Sequence, residues 1–224
     1  VIDKSMKFFV DTANIEDIEK LIPTGFVDGV TTNPSLIAKQ GVDMGETIKA
    51  ICSLVNGPVS AEVTATEYAK MLEEGLYLAS LAKNIAVKVP LTFEGLRVCK
   101  ALREKNIMVN VTLCFSAAQA LLAAKAGASF ISPFVGRLDD IGEKGMDLIE
   151  DIVIMYENYA FETEVLVASV RTKQHVIDAS VIGAHVATLP PKVIYELYEH
   201  SLTEKGLKAF LDDWAKTGQS ILPK

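Results

Sequence analysis

Lys88 stands in the run Ile85-Ala-Val-Lys-Val-Pro90, where every other side chain is apolar. Such a run reads as a strand covered on both faces. A buried ammonium group is destabilising unless it is paired or gives up its proton. A neutral amine is a nucleophile, and desolvated lysines form Schiff bases with carbonyl substrates. The competing reading is a structural lysine held by an acidic neighbour such as Asp11 or Glu62. Imine chemistry needs proton transfers, since water must leave the carbinolamine and a hydroxyl must lose its proton when a C–C bond breaks. Asp11 and Glu62 could supply that acid/base work. Each also has a plainer reading: Asp11 as a cap ahead of the first helix, Glu62 as the ion-pair partner of Lys88. Asn110 and Thr112 could hold a water or substrate hydroxyls, or simply form a turn at a strand end.

Two arginines add an anion-binding element. Arg171 directly precedes Thr172, a helix-capping residue, and a phosphate beside a helix N-terminus gains from the dipole and from bidentate contacts. Arg137 follows the sixth of the strand-like runs given below. The alternatives are an ion pair of Arg137 with Asp139 or Asp140 and a solvated loop charge at Arg171. Other signals fail. The chain has no GxGxxG, no P-loop and no GxSxG elbow. His175, His185 and His200 have no metal-ligand spacing, so neither a metal nor a nicotinamide cofactor is expected.

These residues meet only if strands carry them to one place. Eight short β-rich runs recur: Lys7–Thr12, Gly29–Thr32, Val59–Thr64, Ile85–Val89, Met108–Leu113, Ser129–Val135, Glu164–Val170 and His185–Leu189. Helical signals separate them. Asn14 can cap a helix carrying Ile15, Ile18 and Ile22, and Asn33-Pro34 sets a cap before a first-turn proline. Ser116 to Gln119 forms a capping box, with Gly127 as a stop, and Thr172 opens a segment that ends near Gly183. Eight β–α units predict a single (β/α)8 TIM barrel over residues 6–224, with a doubly wound open sheet as the alternative. Chemistry in such barrels sits at the C-terminal strand ends. There the runs offer Asp11, Thr31 with Asn33, Ser60 with Glu62, Lys88, Asn110 with Thr112, Ser132, and Ser169 with Arg171. Within each strand these share parity and can face the same side.

Two further helical stretches follow the eighth run, Pro191–His200 and Leu202–Lys216. In the second, Leu207, Phe210, Leu211 and Trp214 make one apolar stripe. A barrel needs only one helix here, so the extra one either packs on its own barrel or reaches a neighbouring subunit.

Composition narrows the partners. A net charge of -7 argues against nucleic acid, which needs clustered Lys and Arg. No apolar run is long enough for a membrane span, and the first residues lack the apolar region of a signal peptide. Met6 followed by Lys7-Phe8-Phe9-Val10 reads as a natural start, which makes Val1–Ser5 an expected addition to the natural chain. Cys52, Cys99 and Cys114 lie in no CxxC motif and read as reduced, packed thiols of a cytoplasmic protein.

Phe9-Val-Asp-Thr-Ala13, Gly29-Val-Thr-Thr-Asn-Pro-Ser35, Val87-Lys-Val-Pro90, the stretch Ser132-Pro-Phe-Val-Gly-Arg-Leu-Asp-Asp140 and Thr188-Leu-Pro190 closely resemble the short transaldolases of the transaldolase/fructose 6-phosphate aldolase family. The similarity covers nearly everything from Met6 onward. It implies Lys88 as the Schiff-base lysine and Asp11 as the group that deprotonates the sugar hydroxyl. Glu62 and Thr112 match positions that hold the catalytic water. Asn33, Asn110 and Ser132 match contacts to the dihydroxyacetone portion, and Arg137, Ser169 and Arg171 match phosphate contacts. The family reaction carries dihydroxyacetone from sedoheptulose 7-phosphate to glyceraldehyde 3-phosphate without a cofactor. Short members form pentamers that pair into decamers, with the C-terminal helix gripping a neighbour. Fructose 6-phosphate aldolases, a sister group, carry tyrosine at the position of Phe134 and glutamine at that of Glu62, so both positions here match transaldolase. A tyrosine hydroxyl can help protonate the bound enamine and let dihydroxyacetone leave, which a phenylalanine cannot do; Phe134 can also be a packing aromatic. The remaining readings are such an aldolase and a catalytically silent phosphosugar-binding barrel.

Overall fold

The computed structural model describes residues 5–41 and 43–223, so of the expected added segment only Ser5 falls within the described residues. In chain order the elements are β1 (Lys7–Asp11), α1 (Ile15–Leu21), β2 (Gly29–Thr31), α2 (Pro34–Ala38), α3 (Met44–Leu54), β3 (Val59–Glu62), α4 (Tyr68–Leu81), β4 (Ile85–Pro90), α5 (Phe93–Arg103), β5 (Met108–Cys114), α6 (Ala117–Lys125), β6 (Phe130–Pro133), α7 (Val135–Asp140), α8 (Gly145–Asn158), β7 (Glu164–Val167), α9 (Lys173–Ile182), β8 (Val186–Leu189), α10 (Pro191–Tyr198) and α11 (Ser201–Thr217). The strands are parallel and close into a barrel in chain order, with β8 pairing back onto β1. Closure leaves no sheet edge and removes the doubly wound alternative.

Strand alternation divides the core in two. Val10, Val30, Val59, Val87, Val109, Ile131, Val165 and Ala187 point outward into the layer between strands and helices. The opposite parity fills the barrel. Phe9, Ala86, Phe130, Leu166 and Val186 form a separate apolar cluster with Met108 against it, and the Phe9 and Phe130 rings meet edge to face at 5.8 Å. This cluster is an apolar floor. Two residues further along the same strands, the inward side chains become polar: Asp11, Lys88, Asn110, Ser132 and Thr188.

Helix starts follow the capping chemistry. Asn14 accepts hydrogen bonds from the backbone N–H groups of Glu16 and Asp17, Asn33 from Leu36, and Thr172 from His175. Ser116 accepts from Gln119, while Gln119 reaches back to the N–H of Phe115 rather than that of Ser116. Gly183, at φ 92°, ends α9 in the left-handed region that glycine tolerates.

Strand bounds shift from the sequence expectation by a residue in most places, and three strands stop two or three residues short, each for a local reason. β3 stops at Glu62 because the N–H groups of Thr64 and Ala65 bond the Glu74 carboxylate on α4 instead of a neighbouring strand. β6 stops at Pro133 because the chain turns directly into the short helix α7, which carries Arg137. β7 stops at Val167, and Ser169 adopts φ 58°, so simple alternation does not extend to Ser169 and Arg171.

No residue of α11 is buried. Phe210 is 74% exposed and Leu207, Leu211 and Trp214 are exposed with it, so the stripe does not pack on its own barrel. Cys52, Cys99 and Cys114 are all free, and burial pushes their thiols up to about 11, 12 and 11. Such thiols are poor nucleophiles at neutral pH. Among the described residues no helix is long and apolar enough to cross a membrane.

Candidate active site

Glu62 and Lys88 are register partners on β3 and β4. Parallel pairing and shared parity therefore aim both side chains into the barrel mouth, where Lys88 Nζ lies 3.2 Å from Glu62 Oε2. The Lys88 side chain is only 8% exposed. Its ammonium also donates to the backbone carbonyl of Thr32 at 3.3 Å. The pairing that the sequence left open is thus present, and it brings a carboxylate within proton-transfer distance of the amine.

Asp11 reaches the same space from β1. Its Oδ1 accepts a hydrogen bond of 2.8 Å from Thr31, its register partner on β2. Burial raises its pKa above the ordinary 3.8, outweighing the Thr31 hydrogen bond and the Lys88 charge, which both lower it. Asp11, Thr31, Asn33, Lys88, Ser132, Phe134, Arg137, Ser169 and Thr188 line one cavity of about 170 Å³. An outer chamber of about 410 Å³ shares Asn33, Lys88, Phe134 and Arg137 with it and adds Glu62, Lys39 and Leu113. A larger hollow of about 510 Å³ opens beside the N-terminal ends of β6 and β7, away from all of these groups.

Two further residues sit beneath this wall. Asn110 pairs in register with Lys88, and its carboxamide is held from both sides. Its Nδ2 donates to Ser60 Oγ at 3.1 Å, and its Oδ1 accepts from Ser132 Oγ at 2.7 Å. Thr112 pairs with Pro90, one strand from Lys88. Its hydroxyl is buried and has no hydrogen-bond partner among the described residues, so it is open to a water or a substrate group. The next residue, Leu113, has φ 61°, and the β5–β6 register shifts between Val111 and Cys114. A bulge at that point re-aims the strand end beside Thr112.

The two arginines separate. Arg137 lines the cavity, with its guanidinium 5.3 Å from the Phe134 ring centre. It forms no ion pair with Asp139 or Asp140. Arg171 does not line the cavity; both of its terminal nitrogens bond the Asp140 carboxylate, which replaces the solvated-loop reading. That contact holds Asp140 well below its ordinary value. The Arg171 side chain lies over Gly136, where a Cβ would stand 2.4 Å from the Ser169 carbonyl and 2.7 Å from Arg171 Nε. Glycine is what allows this approach. Asp139 is taken by His175, at 2.9 Å. Sequence reasoning missed Thr188, whose hydroxyl bonds that of Thr31. Parity would have found it, since Thr188 lies two residues after the inward Val186.

Known proteins resemble this chain over nearly its whole length. The profile of the family described as Transaldolase/Fructose-6-phosphate aldolase matches residues 8–221. A "Probable transaldolase" of Dinoroseobacter shibae is 63% identical over 217 residues, covering 97% of this chain and all of that protein. Another of Sinorhizobium medicae is 61% identical over 216 residues, covering 96% of this chain and all of that protein. Among solved structures, thiamine phosphate pyrophosphorylase from Pyrococcus furiosus superposes with a TM-score of 0.60 at 14% identity, covering 86% of this chain and 93% of that one. A mandelate oxidase variant gives 0.57 at 16%, covering 85% and 66%. At such identities these two share the fold alone.

The raised Asp11 value makes a testable statement about stability. Between 3.8 and the higher folded value, the folded state holds more of the Asp11 proton than the unfolded chain does. Stability therefore falls as pH rises through that window, and the loss is complete once pH has passed the folded value. Asp11→Asn keeps an acceptor for Thr31 and removes the ionisation. The variant is expected to exceed the wild type in stability at pH 7, with the gap closing below about pH 4. Urea denaturation at both pH values checks this; an asparagine variant weaker than wild type at pH 7 would contradict it.

Proposed function

The chain belongs to the transaldolase/fructose-6-phosphate aldolase family, and from that premise we propose that it is a transaldolase working through a Schiff base at Lys88. The observation that carries this reading is the nearly buried Lys88 amine, set 3.2 Å from Glu62 in the mouth that Asp11 also enters. The substrate class is a phosphorylated ketose, with sedoheptulose 7-phosphate as donor and glyceraldehyde 3-phosphate as acceptor, giving erythrose 4-phosphate and fructose 6-phosphate in the pentose phosphate pathway.

In this reading Glu62 accepts a proton from Lys88, and the neutral amine adds to the C2 carbonyl of the ketose. The carbinolamine hydroxyl leaves as water once protonated, giving the iminium ion. Glu62 and the free Thr112 hydroxyl hold that water. Asp11 then takes the proton from the C4 hydroxyl. The C3–C4 bond breaks, the aldehyde leaves, and the bonding pair moves into the C2–C3 enamine, neutralising the nitrogen. An acceptor aldehyde is attacked by C3, and Asp11 returns its proton to the new alkoxide. Water then hydrolyses the imine and frees Lys88. The iminium ion accepts the electron pair at cleavage and the enamine holds it until the acceptor arrives, so no cofactor is required. A buried Asp11 suits both directions, because its raised pKa lets it hold a proton during part of the cycle.

The dihydroxyacetone portion is assigned to the inner cavity, where Asn33 and Ser132 on its wall are the proposed hydrogen-bond partners and Asn110, bonded to Ser132, backs them. The phosphate end lies toward Arg137 and Ser169, and Arg171 joins them by exchanging Asp140 for the phosphate. A cytoplasmic location agrees with three unpaired cysteines. For assembly, the exposed stripe on α11 supports a homo-oligomer, a pentamer or a pair of pentamers, in which this helix lies on a neighbouring copy.

Four experiments test this reading. Lys88→Ala should lose essentially all transfer activity while keeping its circular dichroism spectrum. Borohydride with fructose 6-phosphate should add mass at Lys88 in the wild type alone; wild type without an adduct would overturn the Schiff-base reading. Phe134→Tyr should raise release of free dihydroxyacetone in the absence of an acceptor, measured by a coupled dehydrogenase assay. An unchanged partition would show that position 134 does not separate transferase from aldolase. Light scattering should find an oligomer well above the 24.3 kDa of one chain, falling on Phe210→Asp. A monomeric wild type would refute the role given to α11.

A further inference from the structure

Thr31, Asp11 and Thr188 lie on three adjacent strands, with β1 between β2 and β8. Both threonines are buried, at 2% and 3% exposure. The Thr31 hydroxyl touches Asp11 Oδ1 on one side and the Thr188 hydroxyl on the other. A hydroxyl has one proton to donate and lone pairs to accept with. Thr188 has no other hydrogen-bond partner for its hydroxyl among the described residues. Only one direction then uses every proton: Thr188 donates to Thr31, and Thr31 donates to Asp11 Oδ1. The reverse chain would begin with a proton on Asp11 Oδ1 and would turn the Thr188 proton toward the cavity, with no protein acceptor for it among the described residues. An unmet buried donor is destabilising.

We infer that Thr188 is a positioning residue for the transfer reaction: by committing the Thr31 hydroxyl to Asp11 Oδ1, it makes Oδ2 the oxygen that exchanges a proton with the sugar. This rests on the reading of Asp11 as the acid/base group. Among the described residues no protein donor engages Oδ2, and Asp11 lines the cavity, so that oxygen is left to the substrate. The relay acts on C–C cleavage, where Asp11 takes the C4 hydroxyl proton, and on the reverse bond formation. It does not act on imine formation, which belongs to Lys88, Glu62 and Thr112.

The test separates those two steps. Wild type, Thr188→Val and Thr188→Ser are mixed with fructose 6-phosphate and borohydride, and intact masses are measured. Trapping after cleavage leaves a three-carbon adduct; trapping before it leaves a six-carbon phosphate adduct. Thr188→Val should trap as much total adduct as wild type, with the balance shifted toward six carbons. Its kcat for transfer to erythrose 4-phosphate should fall about tenfold with KM unchanged, the size expected from one lost hydrogen bond. Thr188→Ser should restore both. A valine variant with the wild-type adduct balance and kcat would overturn the inference, as would a serine variant as impaired as the valine one. Should the valine variant fail to fold, Thr188→Ala removes the same hydroxyl and is read by the same masses. Failure of the transaldolase reading is distinct, since the wild type would then trap no adduct.

Discussion

The site depends on keeping a charged pair, Lys88 and Glu62, inside a barrel whose strands are otherwise apolar. Removing two ions from water carries a penalty of several kcal/mol each, and their attraction repays it only with good geometry and further hydrogen bonds. Here the geometry comes from the backbone. Register pairing of Glu62 with Lys88 sets the carboxylate and amine stems side by side, and the Thr32 carbonyl accepts a further hydrogen bond from Lys88 Nζ. An open sheet could pair the same two strands. It could not also bring Asp11 of β1 and Ser132 of β6 to the same cavity. Closure converts distant sequence positions into one wall.

The barrel is therefore built in layers of different chemistry. Phe9, Phe130, Leu166 and Val186 close the interior below, so groups in the mouth exchange with solvent from one side. The low-polarity floor is also what raises Asp11. In the proposed reading, stability and function pull against each other at that residue, because the burial that raises its affinity for a proton also makes its charge costly. Backbone strain is placed at the same rim. Leu113 and Ser169 both adopt positive φ without being glycine, a conformation that costs about 1–3 kcal/mol and persists only where neighbours enforce it. Gly136 supplies the complementary freedom, leaving room for Arg171 above it.

Much of this was legible in the sequence, and the physics explains which part. Period-two alternation within a strand is rigid, so Phe9 to Asp11, Ser60 to Glu62 and Ala86 to Lys88 could be assigned to one face before any coordinates. Capping is local as well, and Asn14, Asn33 and Thr172 cap the helices their spacing indicated. Legibility ended where a residue's place depends on a loop or on a partner far along the chain. Ser169 and Arg171 were aligned by an alternation that stops at Val167. Asp140 holds Arg171 from 31 residues away, through the short helix α7 that no hydrophobic period announces. The Thr31–Thr188 contact spans 157 positions and exists only because β8 closes on β1. The sequence left two fates open for α11, and its exposed stripe removes one of them.

The Arg171–Asp140 pair bears on how an acidic chain handles phosphorylated sugars. With a net charge of -7, the protein has few cations to spare near its mouth, and one of them is already engaged. Both partners are about half exposed, and ion pairs in water contribute little to stability. A phosphate arriving from the cavity side meets a guanidinium whose planar donors are already directed by a carboxylate. Phosphate offers the same bidentate geometry with more charge. It also approaches the start of α9, capped by Thr172, where the helix dipole favours an anion. In the proposed reading, exchange of Asp140 for phosphate breaks a weak exposed contact and forms one reinforced by a helix end. Asp140 would hold the arginine oriented between turnovers, while Arg137, near the Phe134 ring and in no ion pair of hydrogen-bond length among the described residues, is the cation that the proposed substrate would meet on the cavity wall.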